Sequence, residues 1–314
     1  MHRTLSAAGA FWLAAFTYFI WGFTFLASRI AQDYGTPFVL LFWRFALAFV
    51  LLNLLRLTGR FPVRFRSQKL WPVLLAGLFE PVLYFPCEQY GLRLTSTSFS
   101  GVMVALIPLC SLVYGAVFLH EKATWRQVVF SVLSVAGVIV LAVYATGIGA
   151  GSFLGFLILL GTVFAGAGYI VACRACSGSF TAFERTYITC GMGAAAFGVL
   201  SVLEHRNDLS AVVLPMTHAP FALAIVFLSV VASVLSYLAL NRALEVLPVA
   251  RTAALINFST VVSVLAGVLL LHEPFGWVSA VASAAILVGI WGVQRFAAPA
   301  LPDADKRTEP LPPS

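Results

Sequence analysis

The sequence contains few charged residues. Asp, Glu, Lys and Arg make up 10% of its 314 residues, whereas hydrophobic residues make up 61%. Soluble globular domains carry roughly 25% charged residues, so this composition predicts an integral membrane protein in contact with the lipid bilayer. The formal net charge of +7 does not indicate a nucleic-acid partner, because membrane proteins concentrate Lys and Arg in the loops on one side of the bilayer.

The sequence also lacks the motifs of common enzymes. It has no Ser-His-Asp set, HExxH motif, P-loop or glycine-rich dinucleotide motif, so hydrolytic and ATP-driven mechanisms have no candidate residues. Cysteine is scarce, with five residues. Cys173 and Cys176 have the spacing of a metal or redox pair, but no second Cys or His pair accompanies them. We therefore expect neither a metal site nor a cofactor.

An internal repeat is the strongest feature that the sequence does contain. A shift of 152 positions superimposes Ser98–Glu121 on Ala250–Glu273, and both segments end in Leu-His-Glu. The same shift superimposes Gly137 on Gly289. Each segment is apolar for about twenty residues, which is the length of a helix that crosses a bilayer. The chain is therefore predicted to contain two copies of one membrane unit.

Ten apolar segments predict an all-α membrane protein with ten transmembrane helices. The segments cover residues 11–31, 37–57, 70–91, 97–119, 126–145, 152–173, 183–203, 219–241, 249–271 and 276–295. The first repeat is predicted over residues 11–145 and the second over residues 152–296. Residues 1–10 precede them, and a charged, proline-rich tail over residues 297–314 is predicted to be disordered.

The distribution of basic residues predicts the orientation. If the N-terminus is inside, the inner loops and termini contain fifteen Lys and Arg residues and the outer loops contain three. This bias predicts that both termini are cytoplasmic. Each repeat has five helices, so the two copies must cross the membrane in opposite senses. This predicts an inverted repeat, which is common in secondary transporters.

Ionisable residues inside the predicted helices are the main functional candidates, because a charge in hydrocarbon is costly and usually functional. Arg44 lies in the second segment, and Glu80, Tyr84 and Glu88 share one face of the third. Arg44 lies at a depth between the two carboxyl groups, so we expect it to pair with one of them. The other carboxyl group would then favour its protonated form and could bind a proton or an amine. A purely structural ion pair is the alternative.

Several motifs resemble the EamA family of the drug/metabolite transporter superfamily. They are Trp21-Gly22, Trp43-Arg44-Phe45, Tyr90-Gly91-Leu92-Arg93-Leu94-Thr95-Ser96, Pro108, and Leu119-His120-Glu121. The resemblance covers residues 11–296 and implies an inner-membrane carrier, commonly an exporter of amino acids, related metabolites or toxic compounds. The second copy departs from the first, with Ile188 opposite Arg44 and Thr260 opposite Pro108. We therefore expect an asymmetric site that lies mostly in the first repeat.

Together these features predict a secondary transporter that exports a small metabolite, such as an amino acid or an amphipathic compound, by alternating access around a midplane site. The binding candidates are Trp21, Arg44, Glu80, Tyr84, Glu88, Tyr169, Tyr237, Asn257 and Ser259. Aromatic rings would enclose the substrate, Arg44 would bind its carboxylate, and the glutamates would bind a coupling proton or an amine. Pro108 is predicted to break the fourth helix near its middle, which is tolerated where the backbone faces a cavity.

Two other classes of protein remain as alternatives. A nucleotide-sugar or sugar-phosphate exchanger of the same superfamily would need more than one cation in its cavity, and only Arg44 is clearly inside a predicted helix. A membrane-embedded enzyme would need a cluster of catalytic polar residues at one membrane surface. Only His120 and Glu121 approach that pattern, and their repetition at His272 and Glu273 favours a structural role.

Overall fold

The computed structural model describes residues 5–63, 70–94, 103–121, 123–146, 153–259, 261–262 and 276–296. All regular secondary structure in these ranges is helical. The predicted disordered tail over residues 297–314 lies outside the described residues. So does the second Leu-His-Glu sequence at residues 271–273, as does Thr260.

Of the described helices, all but Ser210–Val213 overlap a predicted apolar segment. They are α1 (Ala7–Gln32), α2 (Pro37–Leu57), α3 (Trp71–Gly77), α4 (Tyr84–Leu94), α5 (Ile107–Phe118), α6 (Trp125–Thr146), α7 (Phe153–Ala175), α8 (Ala182–Glu204), α9 (Ser210–Val213), α10 (Ala219–Val226), α11 (Ser236–Ala243), α12 (Val249–Ala254) and α13 (Trp277–Arg295). Among the described residues, six helices are long and apolar enough to cross a membrane. They are α1, α2, α7, α8, α13 and the continuous run Ala219–Ala243.

Local side-chain caps set the starts of α2 and α8. The hydroxyl of Thr36 accepts a hydrogen bond from the backbone N–H of Val39, and Pro37 occupies the first turn of α2. Thr181 and Glu184 form a reciprocal capping box at the start of α8. These groups satisfy backbone donors that a helix leaves free at its N-terminus, so α2 and α8 begin where the sequence places their caps.

Two of the helical runs are interrupted. A kink at Leu78–Leu83 joins α3 to α4, and a π-helical turn at Phe227–Leu235 joins α10 to α11. In the kink, Glu80 has an extended backbone (φ −143°, ψ 118°) and Pro81 follows it. Proline has no N–H to donate and its ring crowds the preceding turn, so a regular helix cannot continue through this position. Both interruptions lie next to the cavity described below.

The two copies of the repeat contact each other reciprocally through α6 and α13. A Cβ atom on Gly137 would lie 2.8 Å from the carbonyl oxygen of Ala282, and one on Gly289 would lie 2.7 Å from the carbonyl oxygen of Phe130. Phe130 and Ala282 are themselves 152 positions apart, as the two glycines are. The interface is therefore self-complementary, as a local two-fold axis between the copies requires.

The other main contacts between helices join the two halves of the chain. α2 packs on α8, α1 packs on α11, α4 packs on α7, and α5 contacts both α7 and α12. In α2 and α8, Thr36 bonds to Glu204 at one end while Arg56 bonds to Tyr187 at the other, so these helices run antiparallel. Most of the buried hydrophobic side chains belong to one continuous core.

The described helix ends fall into two groups, at opposite ends of the bundle. At the first, the basic end, Arg174 bonds to Glu121 and to the carbonyl oxygens of Leu244 and Glu245. Arg174, Arg185 and Arg242 all lie there. At the opposite end, Thr36 meets Glu204, and the rings of Tyr34 and His218 lie 5.0 Å apart. This grouping agrees with the alternation of loops from which the orientation was predicted.

Candidate functional site

The helices enclose a cavity of about 290 Å³ in the middle of the bundle. Its described wall comes from α1, α2, the α3–α4 kink, α4, α5, α7 and α11, together with Ile256 and Ser259 beyond α12. Both halves of the chain therefore contribute to it. The cavity extends from Tyr18 and Tyr169 to Gln32 and Gln89, which lie near the opposite end of the bundle.

Most of the residues singled out from the sequence lie in this wall. They are Trp21, Arg44, Glu80, Tyr84, Glu88, Tyr169 and Ser259. Tyr237 does not line the cavity but lies directly behind it, where its hydroxyl donates a hydrogen bond of 2.5 Å to Oε1 of Glu80. Asn257 does not line the cavity either; its amide donates to the hydroxyl of Ser134 in α6, at 3.0 Å.

Pro108 does not lie inside a continuous helix. It is in the first turn of α5, which begins at Ile107, and the chain turns at Ala105 and Leu106 just before it. A proline in the first helical turn removes no hydrogen bond, so Pro108 favours the start of α5 at this position. Ile107 beside it lines the cavity.

Arg44 is buried in the cavity wall, with 4% of its surface exposed. Its Nε donates a hydrogen bond of 2.9 Å to the hydroxyl of Ser233, which lies in the π-helical turn Phe227–Leu235. Its guanidinium lies 4.7 Å from the centre of the Phe85 ring, a cation–π contact. The two terminal nitrogens make no hydrogen bond within the described part of the chain. These nitrogens are available to an anionic group in the cavity.

The expected ion pair of Arg44 with Glu80 or Glu88 is not formed. Neither carboxylate makes a salt bridge with Arg44, although all three residues are described and line the same cavity. The reason is that Ser233 and Phe85 fix the guanidinium, while each carboxylate has a tyrosine partner of its own. A fixed ion pair that joins α2 to the third segment is therefore ruled out in this conformation.

Glu80 lies at the helix interruption, and its surroundings are aromatic. The four rings of Tyr18, Trp21, Tyr169 and Tyr237, hereafter the ring cluster, stand edge to face. The ring of Trp21 lies 5.3 Å from that of Tyr18 and 5.5 Å from that of Tyr237. The indole N–H of Trp21 donates to the carbonyl oxygen of Ala232, at 2.9 Å, which fixes its ring.

Glu88 lies two helical turns further along the same face, in a polar setting. It accepts a hydrogen bond of 3.1 Å from the hydroxyl of Tyr84 and one of 3.4 Å from the amide of Gln89. The amide of Gln32 donates to Gln89 in turn. The side chain is buried, with 7% of the residue exposed, so it does not extend to the membrane surface.

The sequence analysis did not single out Tyr18, Gln32, Gln89 or Ser233. Tyr18 and Gln32 continue the face of α1 that carries Trp21, Thr24 and Ser28, at spacings of three and four residues. The helical period was therefore the signal that could have found these two. Ser233 lies in a row with Ser229 and Ser236, at spacings of four and three residues. Its contact with Arg44, however, depends on how α2 packs on the π-helical turn.

Below the cavity floor, a chain of polar contacts closes the basic end. The amide of Asn241 donates to the hydroxyl of Tyr169, at 3.4 Å, and the carbonyl of Asn241 accepts a 2.7 Å hydrogen bond from Arg185. Arg185 forms a 3.0 Å salt bridge with Glu245. Glu121 of the Leu-His-Glu sequence accepts a 2.8 Å hydrogen bond from the N–H of Val249 and so caps α12. The motif therefore has a structural contact at the helix ends.

Comparison with protein families gives a match in each half of the chain. The model of the EamA-like transporter family matches residues 8–143 and 153–295. An uncharacterized transporter of Bacillus subtilis, YcxC, is 31% identical over 285 residues, which are 90% of this chain and 91% of that protein. An uncharacterized transporter of Archaeoglobus fulgidus is 26% identical over 284 residues, or 90% of this chain and 97% of that protein.

A solved crystal structure has the same fold. It superimposes on this chain with a TM-score of 0.79 and covers 93% of this chain and 98% of its own length. The sequences are only 19% identical, so this similarity concerns the fold alone.

Proposed function

Because the chain belongs to the EamA-like transporter family, we propose that it is a secondary carrier that exports a small metabolite by alternating access. The observation that carries this proposal is the cavity between the two halves, which contains Arg44, Glu80 and Glu88 in its wall. Charged groups in the middle of an apolar bundle are costly, and in membrane proteins they usually mark a substrate or ion pathway. The outward direction rests on the resemblance to EamA exporters.

We place ten helices in the membrane, as two inverted repeats of five with both termini in the cytoplasm. Two facts support this topology. Helices at equivalent positions in the two repeats run antiparallel to each other. These pairs are α2 with α8 and α6 with α13. Equivalent helices must run antiparallel when the two-fold axis lies in the membrane plane. The basic end gathers Arg174, Arg185 and Arg242, which favours the cytoplasmic side of an inner membrane for that end.

In this orientation the described cavity extends toward the outer side of the membrane. The cavity extends to Gln32 and Gln89 near the opposite end, whereas the polar chain from Tyr169 through Arg185 to Glu245 lies beneath its floor. Alternating access requires contacts between the two halves at this end to break while others form near Gln32. The contact of Glu121 with Arg174 joins the two halves and would be among those that break.

The substrate we propose is a small molecule with a carboxylate, such as an amino acid. Arg44 presents two nitrogens without a described partner, and a guanidinium can bind a carboxylate through two parallel hydrogen bonds. A sugar-phosphate exchanger is less well supported. Arg44 is the one cation that the described residues contribute to the wall, and two carboxyl groups accompany it. These would repel a phosphate group.

Uptake by proteoliposomes tests the proposal. Purified protein would be given labelled amino acids, amines, sugars and nucleotides, with and without an imposed pH gradient. We expect uptake of carboxylate-bearing amino acids, accelerated by the gradient if protons are the coupling ion. Uptake that ignores the gradient would identify a facilitator without proton coupling. No uptake of any class by folded protein would contradict a carrier function.

A further inference from the structure

The ring cluster encloses one end of the cavity with aromatic walls at steep angles to one another. The planes of Tyr18 and Trp21 meet at 87°, those of Trp21 and Tyr237 at 67°, and those of Tyr169 and Tyr237 at 80°. Three of the four rings line the cavity, and Tyr237 stands behind them. Aromatic rings arranged as a box attract cations, because the face of each ring carries partial negative charge.

Glu80 adds a carboxyl group to this box, which contributes a negative charge when it is ionised. The carboxyl group has one described side-chain partner, the hydroxyl of Tyr237, and Glu80 is 6% exposed. A carboxylate can accept several hydrogen bonds, so one donor leaves acceptor sites for another group. Burial without a salt bridge is unfavourable for a carboxylate, and a bound cation in the cavity would offset that cost.

The overall charge of the described wall also favours a cation. Arg44, Glu80 and Glu88 are its charged groups, so the formal sum is negative when both carboxyl groups are ionised. Arg44 is held by Ser233 and Phe85 and makes no salt bridge to either carboxylate. Glu88 has Tyr84 and Gln89 as partners and lies outside the ring cluster. Glu80 is thus the carboxylate best placed to meet an organic ammonium group.

We propose that Glu80 and the ring cluster form a subsite for the ammonium group of the substrate. This inference rests on the proposed carrier function and narrows it. With Arg44 as the carboxylate partner, the preferred substrates are zwitterions and compact organic amines, and simple carboxylates bind less well. Glu88, which lies outside the ring cluster, is left as the group that exchanges a coupling proton.

A first test uses the wild-type protein and needs no variant. Binding of isoamylamine and of 3-methylbutan-1-ol would be measured by isothermal titration calorimetry in detergent, with protein-free micelles subtracted. The two probes have almost the same shape and differ in charge. We expect the amine to bind at least about tenfold more tightly than the alcohol. A ratio near one would overturn the subsite.

A second test compares variants that each remove one carboxylate. Glu80→Gln keeps a carbonyl oxygen that can accept from Tyr237, so the local fold is retained. We expect the affinity for isoamylamine to fall about tenfold in this variant. The loss of affinity in Glu88→Gln should be at least about threefold smaller. Glu204→Gln, at the opposite end of the bundle, is the control for removal of a charge outside the cavity. Equal losses in the two cavity variants would contradict the assignment to Glu80.

The subsite and the carrier function can fail separately. If proteoliposomes carry leucine but Glu80→Gln binds isoamylamine as tightly as wild type, the carrier stands and the subsite is wrong. If amine binding depends on Glu80 but no probe is carried, the subsite stands and the carrier function is wrong.

Discussion

Arg44 shows how a single buried charge is held without a counter-ion. The side chain of Arg44 extends from α2 and is buried, its Nε donates a hydrogen bond to Ser233, and the ring of Phe85 covers the guanidinium. Lysine could supply the charge but has neither the planar surface for stacking nor a nitrogen at the Nε position. Ser233 therefore acts as a positioning residue, because it fixes the direction in which the guanidinium points.

We predict that Arg44→Ala lowers the uptake rate of a carboxylate-bearing substrate by at least about tenfold at low substrate concentration, because the paired hydrogen bonds to the carboxylate are lost. The uptake rate of Arg44→Lys should lie between those of Arg44→Ala and wild type, because the charge remains while the paired hydrogen bonds are lost. Proteoliposome uptake measures both. Arg56→Ala, near the exposed end of the same helix, is the control. Wild-type uptake by Arg44→Ala would remove this residue from the binding site.

We predict that Glu88→Gln flattens the dependence of uptake on pH. Glutamine cannot bind or release a proton between pH 5 and pH 8, so a carrier that uses Glu88 as its proton site would lose its response to an imposed gradient. Glu88→Asp should retain it. The measurement is initial uptake at a series of pH values. An unchanged pH profile in both Glu80→Gln and Glu88→Gln would rule out proton coupling through these groups.

Much of the candidate site could be predicted at the level of single residues. The spacing of Glu80, Tyr84 and Glu88 placed them on one face, and the structure places all three in the cavity wall. Asn257 and Ser259 show the limit. Residues two apart on a helix point about 200° away from each other. Only one of this pair can face the cavity, and the sequence does not say which.

The pairing of Arg44 could not be predicted, because it depends on rotation about the helix axis and on the interruption at Glu80. Depth along the helix placed Arg44 at the right level between the carboxyl groups. The rotation of α2 directs Nε toward the π-helical turn that contains Ser233. A sequence contains no direct signal for such a turn, so this contact could come only from the structure.

Among the helices, the pair α6 and α13 carries the clearest trace of the repeat. The alignment of Gly137 with Gly289 was visible in the sequence, and the structure gives its physical reason. Each glycine lets the partner helix approach to within contact distance of its backbone, so any Cβ atom would press against a carbonyl oxygen. The two positions should therefore respond alike to substitution.

We predict that Gly137→Ala and Gly289→Ala each lower the free energy of unfolding by about 1–3 kcal/mol, because an added methyl group overpacks the interface. The measurement is the thermal unfolding midpoint in detergent. Gly178→Ala is the control, since nothing lies within 4 Å of a Cβ atom there. If the two interface variants unfold at the wild-type temperature, the close approach of α6 and α13 is wrong.

On the scale of the whole molecule, the sequence predicts the class of fold and the grouping of loops well. Both follow from the long apolar segments and from the basic residues, because these features determine which segments insert into the membrane and in which orientation. The cavity does not follow in this way. It arises where two interrupted helical runs from different halves of the chain meet α1 and α2, and that meeting depends on packing across the two-fold relation.

The ten-helix inverted topology makes a specific prediction about which loops share a side of the membrane. Single cysteines at Thr58, Gly178, Asp33 and Asn207, introduced after replacement of the five native cysteines, would be exposed to a membrane-impermeant maleimide. Thr58→Cys and Gly178→Cys lie at the basic end, with four proposed crossings between them, so both should react only from the cytoplasmic side.

Asp33→Cys and Asn207→Cys should react only from the outside, in right-side-out vesicles, because Thr36 bonded to Glu204 brings the two loops together at the opposite end. The folded bundle gives the reason for expecting all four results together. An odd number of crossings between positions 58 and 178 would place them on opposite sides, in conflict with the contact of Arg56 with Tyr187 near both loops. Labelling of positions 58 and 178 from opposite sides would therefore contradict the inverted repeat. Labelling of all four from the reversed sides would contradict only the assignment of the basic end to the cytoplasm.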